Sequence, residues 1–405
     1  VDALILSNAL DTNGQNARYV RASERWGNDP DVVRALALGN YDPAQVVGRF
    51  QAAAEKFGNL AIRSAHRSTH IYQAMPADII WTASSESMVR KLAMEADILH
   101  LNNSWRPLQR LRLKRETAPM LLHHHGSLFR SDPRGMLDWA HRNRAVQAVS
   151  TIDLQHAAPD VLHWLPTAYD IAALEAFGQK HRREPDGRVR VVTCPTNREI
   201  KSTARLEATV ARLQAEGLDI DLVVVEGLPW KEAMKIKATA DIYFDQVLLG
   251  VGCNAIEAWA MDIPVIAGAG PWTLGQMERT WGTIPFRQAT EETIGDAIVD
   301  LALHPRKRAS WAKKGKAHVL RFHDERPALE RLAELYGRAI ARLVETPDYP
   351  ESVAVTFVAD IPSLRLGNQR LDFASGPVVV ANPFTANRLR HYALRHPSDG
   401  IREVA

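Results

Sequence analysis

Three short stretches of this 405-residue chain carry side chains able to do chemistry. In the first, Pro195-Thr196-Asn197-Arg198-Glu199-Ile200-Lys201-Ser202-Thr203 follows a strand-like run and opens a helical one. Such a turn aims backbone N–H groups, and the positive end of the helix dipole, at whatever lies above the sheet. Arg198 and Lys201 add two cations, which suits a diphosphate and the extra charge that builds on it when a glycosidic bond to phosphate breaks. The plainer reading has Ser202 or Thr203 capping the helix and both cations in solvent.

The second stretch runs from Asp241 through Asp245-Gln246, across a loop holding Gly250 and Gly252, into a helical pattern from Asn254 to Met261. Glu257, one turn into that helix, is placed to accept hydrogen bonds from ribose hydroxyls, while the glycines let the backbone approach a ligand. Asn254 and Glu257 also have the spacing of a capping pair that only closes its own helix. Gly250-x-Gly252-x-x-Ala255 matches a dinucleotide fingerprint in form. The acidic residue due about 20 positions on is missing, since that region reads Ala267-Gly268-Ala269-Gly270, which argues against an oxidoreductase.

The third stretch is His123-His124-His125. On a strand His123 and His125 share a face, but no carboxylate or cysteine nearby in sequence completes a ligand set, and no metal site is expected. A single histidine at a strand end suits hydrogen bonding or acid–base work. Around it, between Arg106 and Arg144, cations accumulate, among them Arg106, Arg110, Arg112, Lys114 and Arg130. They fit an anionic partner or a solvated helix face.

These residues need a frame, and the patterning supplies one. Apolar runs at Ala3 to Ser7, Ile79 to Trp81, Ile98 to Leu101, Met120 to His123 and Ala148 to Ser150 alternate with helical patterns such as Ala17 to Trp26 and Ile171 to His181. After the basic, polar stretch Lys180 to Arg188 the rhythm restarts with strands at Val189 to Thr193, Leu222 to Val225, Asp241 to Phe244 and Pro264 to Ala267. Strand-then-helix units predict an α/β chain of two doubly wound, Rossmann-like domains facing across a cleft, residues 1–182 and 183–345. A helix from Ala328 to Val344 closes the second domain, and residues 346–405 form a small α+β appendage.

Length alone exceeds what one core organises. Apolar residues at 46% and charged residues at 24% are ordinary for a globular protein, and no run approaches the ~18 apolar residues of a membrane helix. The chain opens on Ala3-Leu4-Ile5-Leu6 without a basic segment before it or a cleavage-like site after it, so no secretory signal and a cytoplasmic location are expected. Cys194 and Cys253 are too few for a disulfide framework or a cysteine zinc site and are expected as buried thiols in a reducing compartment. The net charge of +3 is mild.

In their order and spacing, Asn197-Arg198-x-x-Lys201, Val225-Glu226-Gly227, Ala240-Asp241-Ile242, Asp245-Gln246 and Glu257-Ala258-x-Ala260-x-x-x-Pro264-Val265 resemble the donor domain of family 4 retaining glycosyltransferases of the GT-B fold. In the amino-terminal half, Ser7-Asn8 through Gly14 is similar to the loop after the first strand, Asp97 to Leu101 to a central strand, and His123 to Ser127 to the strand end facing the donor sugar. The resemblance implies that Arg198 and Lys201 bind the donor diphosphate and that Glu257 binds the ribose. It further implies that Gly14 offers an amide to the phosphates, and that His125 meets the transferred sugar as part of a catalytic group with Lys201 and Arg198. Gly227, Asp245, Gly252 and Asn254 complete the donor set it implies. Two positions depart from the pattern: Leu249 stands where many members carry a second glutamate that touches the donor sugar, leaving Asp245 or Gln246 to substitute, and Ser202 replaces a glycine.

The implied reaction moves a sugar, with retention, from a UDP- or GDP-sugar to an acceptor hydroxyl without an obligatory metal. For the acceptor, the cations Arg106, Arg110, Arg112, Lys114 and Arg130 suggest an anion, and a hydroxylated base in DNA fits. A protein or cell-surface glycan acceptor stays open, as does a catalytically silent relative that binds carbohydrate or nucleic acid. The tail, with Leu364 to Phe373, Gly376 to Val380 and a helix Thr385 to His396, is similar to small modules of phage structural proteins, which implies a phage-encoded enzyme acting in the host cytoplasm.

Overall fold

The computed structural model describes residues 32–57, 60–68, 75, 77–113, 119–341, 355–366, 369–380, 389, 392–393 and 396–404. The chain divides into two compact units, Val1–Thr346 and Pro347–Ala405.

The first unit holds two sheets. One is built from β1 (Val33–Gly39), β2 (Leu60–His66), β3 (Ile79–Ile80), β4 (Ile98–Asn102), β5 (Met120–His124), β6 (Ala145–Val149) and β7 (Leu162–Trp164). Their order is β3-β2-β1-β4-β5-β6-β7 and every pairing is parallel. β4, β5 and β6 are buried along their whole length, as parallel strands with helices on both faces must be. The helix Val46–Phe57 covers one face and Glu86–Glu95 the other. Strand order reverses between β1 and β4, so the loops after these two strands diverge and leave a crevice at their carboxyl ends.

The other sheet comprises β8 (Val189–Thr193), β9 (Ile220–Val224), β10 (Ile242–Phe244), β11 (Leu249–Gly250), β12 (Val265–Ala269) and β13 (Arg287–Gln288). It runs β11-β12-β10-β8-β9 with β13 also on β12, all parallel except β11. Its order reverses between β8 and β10. The helix Pro305–Phe322 packs on the helix Cys253–Ala260 through Gly315, where any side chain would meet the fully buried Trp259 ring at 1.9 Å. No helix among the described residues is long and apolar enough to cross a membrane.

Two features depart from the sequence pattern. β1, at the centre of its sheet, is rich in alanine and leucine, and no strand signal marks it in sequence. The patterns at Ala3 to Ser7 and Ala17 to Trp26, with Gly14, lie outside the described residues. The last helix of the unit, Glu325–Ile340, does not stay with the second sheet. Its Ala328, Leu332, Leu335 and Tyr336 share one core with Ala35, Val46, Phe50 and Leu121, because an amphipathic helix settles where its apolar stripe finds a partner face.

In the second unit, β14 (Val355–Val358) lies between β17 (Val378–Val380) and β18 (Arg402–Val404), all antiparallel, and β15 (Ser363–Leu366) pairs with β16 (Gln369–Asp372) as a hairpin. Phe357, Leu364, Leu371, Phe373, Leu389 and Ile401 form its core. The helix expected over Thr385 to His396 falls largely outside the described residues.

Candidate functional site

The β8/β10 crevice assembles a charged group. Asp245, the residue after β10, is buried; one carboxylate oxygen takes the Lys201 ammonium and the other accepts the Gly252 N–H at 2.7 Å. Lys201 comes from the turn after β8, and Gly252 precedes the helix Cys253–Ala260. Asp245 thus ties the turn after one strand to the helix start after the other. The backbone between them needs glycine at Gly250, where φ is 86° and a side chain would meet Met277 at 2.3 Å. Gly252 itself has an ordinary extended φ of −112°, so what matters there is its N–H.

One turn further, Glu257 is buried between two cations. Its carboxylate pairs with Lys237, accepts from the Trp230 indole N–H at 2.8 Å, and meets Arg49 at 3.4 Å. Burial alone would raise its pKa; the charges of Lys237 and Arg49, with hydrogen bonds from Lys237 and Trp230, outweigh that and hold the carboxyl below its ordinary value. Lys237 also donates to Asn254 Oδ1 at 2.7 Å, and Asn254 Nδ2 donates to the Cys194 carbonyl. Asn254 and Glu257 therefore do not form a capping box. The helix begins one residue earlier than the pattern suggests, at Cys253, so Asn254 lies inside it with its amide turned to Lys237.

Arg49 belongs to the other lobe, on the helix Val46–Phe57. It is 2% exposed, lies 3.8 Å over the Tyr169 ring, and its Nη1 is buried without a hydrogen-bond partner. Two cations against one carboxylate leave this group with an excess positive charge. Buried charge without a full complement is expensive, and an anion would offset it.

The β1/β4 crevice is different. Asp42 accepts from Val47 N at 3.0 Å and Gly48 N at 2.9 Å, fixing the start of the helix Val46–Phe57, and takes the Asn102 amide at 3.3 Å. His125, capping the helix Gly126–Ser131, bonds Asn102 Oδ1 through Nε2 at 2.6 Å and Ser150 Oγ through Nδ1. Burial pushes its pKa down to about 3, so the ring is neutral. Of seven non-glycine residues with left-handed backbone among those described, Ala44, Gln45 and Asn103 sit in this crevice's loops and Ser202 in the other. Strain of this kind, about 1–3 kcal/mol per residue, gathers at functional sites.

No family model matches the chain, and no curated protein matches it in sequence. Solved structures do match in fold. The Anabaena protein Alr3699/HepE, in complex with UDP and glucose, aligns with a TM-score of 0.54 at 14% identity, over 75% of this chain and 99% of its own. An alpha-glucosyltransferase in complex with UDP and a 13-mer DNA containing a HMU base gives 0.55 at 9% identity, over 76% and 100%. Sucrose-phosphate synthase from Thermosynechococcus elongatus gives 0.50 at 14% identity, over 76% and 99%. The chain has the GT-B fold.

Within that GT-B frame, the structure brings Lys201, Asp245 and Gly252 into one hydrogen-bonded group and Asn254 and Glu257, through Lys237, into a second at the start of the same helix. Arg198 joins neither: its half-exposed guanidinium pairs with Glu207 and Glu226, each at 2.6 Å. Gly227 turns the chain just past Glu226 with a φ of 70°. Asp245, expected against the donor sugar, has both oxygens committed to the protein's own frame, and Leu249 sits in the short strand β11. Ser202 does not cap its helix; its hydroxyl donates to Glu291.

Of the cations expected to meet an anionic acceptor, two are engaged. Arg130 is held by Asp153, both largely buried, and Arg110 by Glu86 at 3.0 Å. Arg106 and Arg112 are exposed, and Lys114 lies outside the described residues. Among the described residues, no cluster of three or more His, Cys, Asp and Glu side chains is arranged to hold a metal ion.

Sequence reading missed Arg49, Lys237 and Trp230. A signal existed for two of them. Arg49 and Lys237 each interrupt the apolar stripe of an amphipathic helix, beside Val46, Phe50 and Ala53 in one case and Ala233 and Met234 in the other.

Proposed function

We propose that this chain is a retaining glycosyltransferase that moves a sugar from a nucleoside diphosphate sugar, with UDP as the nucleotide, to an acceptor hydroxyl. The observation that carries this reading is the charged group at the β8/β10 crevice: Lys201 beside the start of a helix, next to a buried cluster with one cation in excess. It suits the diphosphate of a donor and the charge that collects there as the glycosidic bond breaks. The neighbours solved with UDP support the choice of nucleotide. Glu257 is the residue for the ribose, its carboxylate trading the 3.4 Å contact with Arg49 for the sugar hydroxyls while the Arg49 guanidinium turns to phosphate.

For the acceptor we favour a base in DNA. The likeness to a glucosyltransferase solved with DNA supports it, as do the exposed Arg106 and Arg112. Thermal melting against a panel of sugar nucleotides tests the donor reading, because a ligand bound only by the folded chain raises its melting temperature. UDP and UDP-glucose should raise it. A panel without any shift removes the proposal.

A further inference from the structure

The amide of Asn102 sets the direction of a longer hydrogen-bond chain. Its Nδ2 faces two acceptors, the Tyr41 carbonyl and Asp42 Oδ1, both at 3.3 Å, so its oxygen must be the atom turned to His125. Asn102 Oδ1 accepts only, and His125 Nε2 therefore carries the proton of that 2.6 Å bond. A neutral ring has one proton, so Nδ1 is bare and the Ser150 hydroxyl donates to it. Having given its proton away, Ser150 Oγ accepts from His123 Nε2 at 3.4 Å. His123 Nδ1 is then bare and accepts from His100 Nε2 at 3.3 Å, and His100 Nδ1 accepts from the Tyr336 hydroxyl at 2.9 Å. Ser150 Oγ also lies 3.3 Å from the His124 carbonyl, but that oxygen already accepts the Ser150 N–H at 3.2 Å, so the hydroxyl proton goes to the bare Nδ1 of His125 and the remaining donors and acceptors along the path are matched.

We propose that Tyr336, His100, His123, Ser150 and Asn102 are positioning residues that hold His125 as the neutral Nε2–H tautomer through a one-way hydrogen-bond chain. Burial agrees: His100, His123, Asn102 and Tyr336 are each at most 2% exposed, and His125 is 7%. Burial also drives the pKa of His100 to about 3 and that of His123 well down, so no member offers a second proton. The helix Glu325–Ile340, by crossing back to the first sheet, supplies the terminal donor.

The consequence for chemistry rests on the glycosyltransferase reading. A sugar losing its leaving group gathers positive charge at the anomeric centre, and an imidazolium beside it would oppose that charge, whereas a ring fixed as neutral does not. Both ring nitrogens are already spent, so His125 acts here by position and neutrality and moves no proton.

Two measurements test this. Long-range proton–nitrogen NMR on histidine-labelled wild-type protein should show His100, His123 and His125 each with protonated Nε2 and bare Nδ1 between pH 5 and 8; a protonated Nδ1 on His125 overturns the chain. This result is independent of any activity. In the second, UDP release from UDP-glucose by Ser150→Ala should have kcat lowered about tenfold or more, as when a histidine loses the partner that fixes its tautomer, with KM for UDP-glucose unchanged, and Ser150→Thr should restore it. An unchanged kcat, or a loss that appears only in KM, overturns the positioning role. A wild-type protein that binds no sugar nucleotide would sink the glycosyltransferase reading and leave the tautomers seen by NMR unaffected.

Discussion

At the β8/β10 crevice the working groups are charged, Lys201 with Asp245 and Glu257 between Lys237 and Arg49, whereas at the β1/β4 crevice imidazoles, an amide and a hydroxyl lead back to a single carboxylate, Asp42. Both crevices arise the same way, where the order of a parallel sheet reverses. Topology therefore sets where a ligand sits, and side chains decide which part of it sits there. A diphosphate leaving group needs fixed positive charge. A sugar on its way to transfer needs surroundings that do not compete with the positive charge it acquires. On the proposed function the two lobes divide those requirements, and Arg49 links the two crevices, a cation from the first lobe inserted into the charged group of the second.

The comparison breaks first at Glu257. Glu257→Ala leaves Lys237 and Arg49 buried and unpaired, and losing one partner of a buried pair costs about 3–5 kcal/mol. Urea denaturation should show a loss of that size, with Glu257→Gln between the alanine variant and wild type. A loss below about 1 kcal/mol would mean that the charged crevice is not held by its own ion pairs. Next in size is Lys201→Ala, expected to slow UDP release from UDP-glucose by about 10² by removing charge from the departing phosphate. Equal turnover in variant and wild type would take Lys201 out of the reaction and leave it as a brace for Asp245.

The charged crevice was far more legible in sequence than the neutral one, for a physical reason. Lys201 and Asp245 follow strands that read Val-Arg-Val-Val-Thr and Ile-Tyr-Phe, rich in β-branched and aromatic residues, and β8 spans the predicted residues Val189 to Thr193. A lysine in a strand-to-helix turn points to an anion by its chemistry alone. β1 has no such marker: Val-Arg-Ala-Leu-Ala-Leu-Gly suits a helix as well as a strand, and only pairing with β2 and β4 decides between them. Without β1 in place, Asp42 had no address in the sequence, and Arg49 was marked only as a charge within an apolar stripe. His125 was visible as part of a triplet, yet its partners Asn102 and Ser150 are brought to it only by β4 and the end of β6, and Tyr336 reaches His100 only on the returning helix. The partners of Arg198 were equally hidden, since Glu207 and Glu226 become its neighbours only once the chain has folded.

A smaller effect per residue sharpens the contrast through pH. Burial lowers the pKa of His100 and His125 to about 3 and of His124 and His323 to about 4, while the unfolded chain titrates near 6.5. Between those values the unfolded state binds more protons than the folded one, so stability falls as pH drops through that window. Each group can withdraw at most about 1.4 kcal/mol per pH unit. The urea midpoint should therefore decline steadily from pH 6.5 toward 4, and His124→Gln should flatten the slope. Asp42, Asp78 and Glu325, whose pKa burial raises, act the other way at the acid end, so the deciding observation is the difference between the two proteins: a slope that His124→Gln leaves unchanged would mean that this ring charges within the fold.

The smallest expected effect concerns the acceptor side. If duplex DNA is the acceptor, its binding should weaken linearly in log–log against salt, with each phosphate contact contributing about 0.9 to the slope. Arg106→Gln with Arg112→Gln should then lower the slope by up to about 1.8 and leave the fold intact, because both side chains are exposed. Arg130→Gln should do the reverse: its guanidinium is spent on Asp153, so its loss appears in stability before it appears in salt dependence. A slope that responds to Arg130 but ignores Arg106 and Arg112 would place the nucleic acid elsewhere on the lobe, and an absence of salt-dependent binding would turn the search toward a glycan or protein hydroxyl.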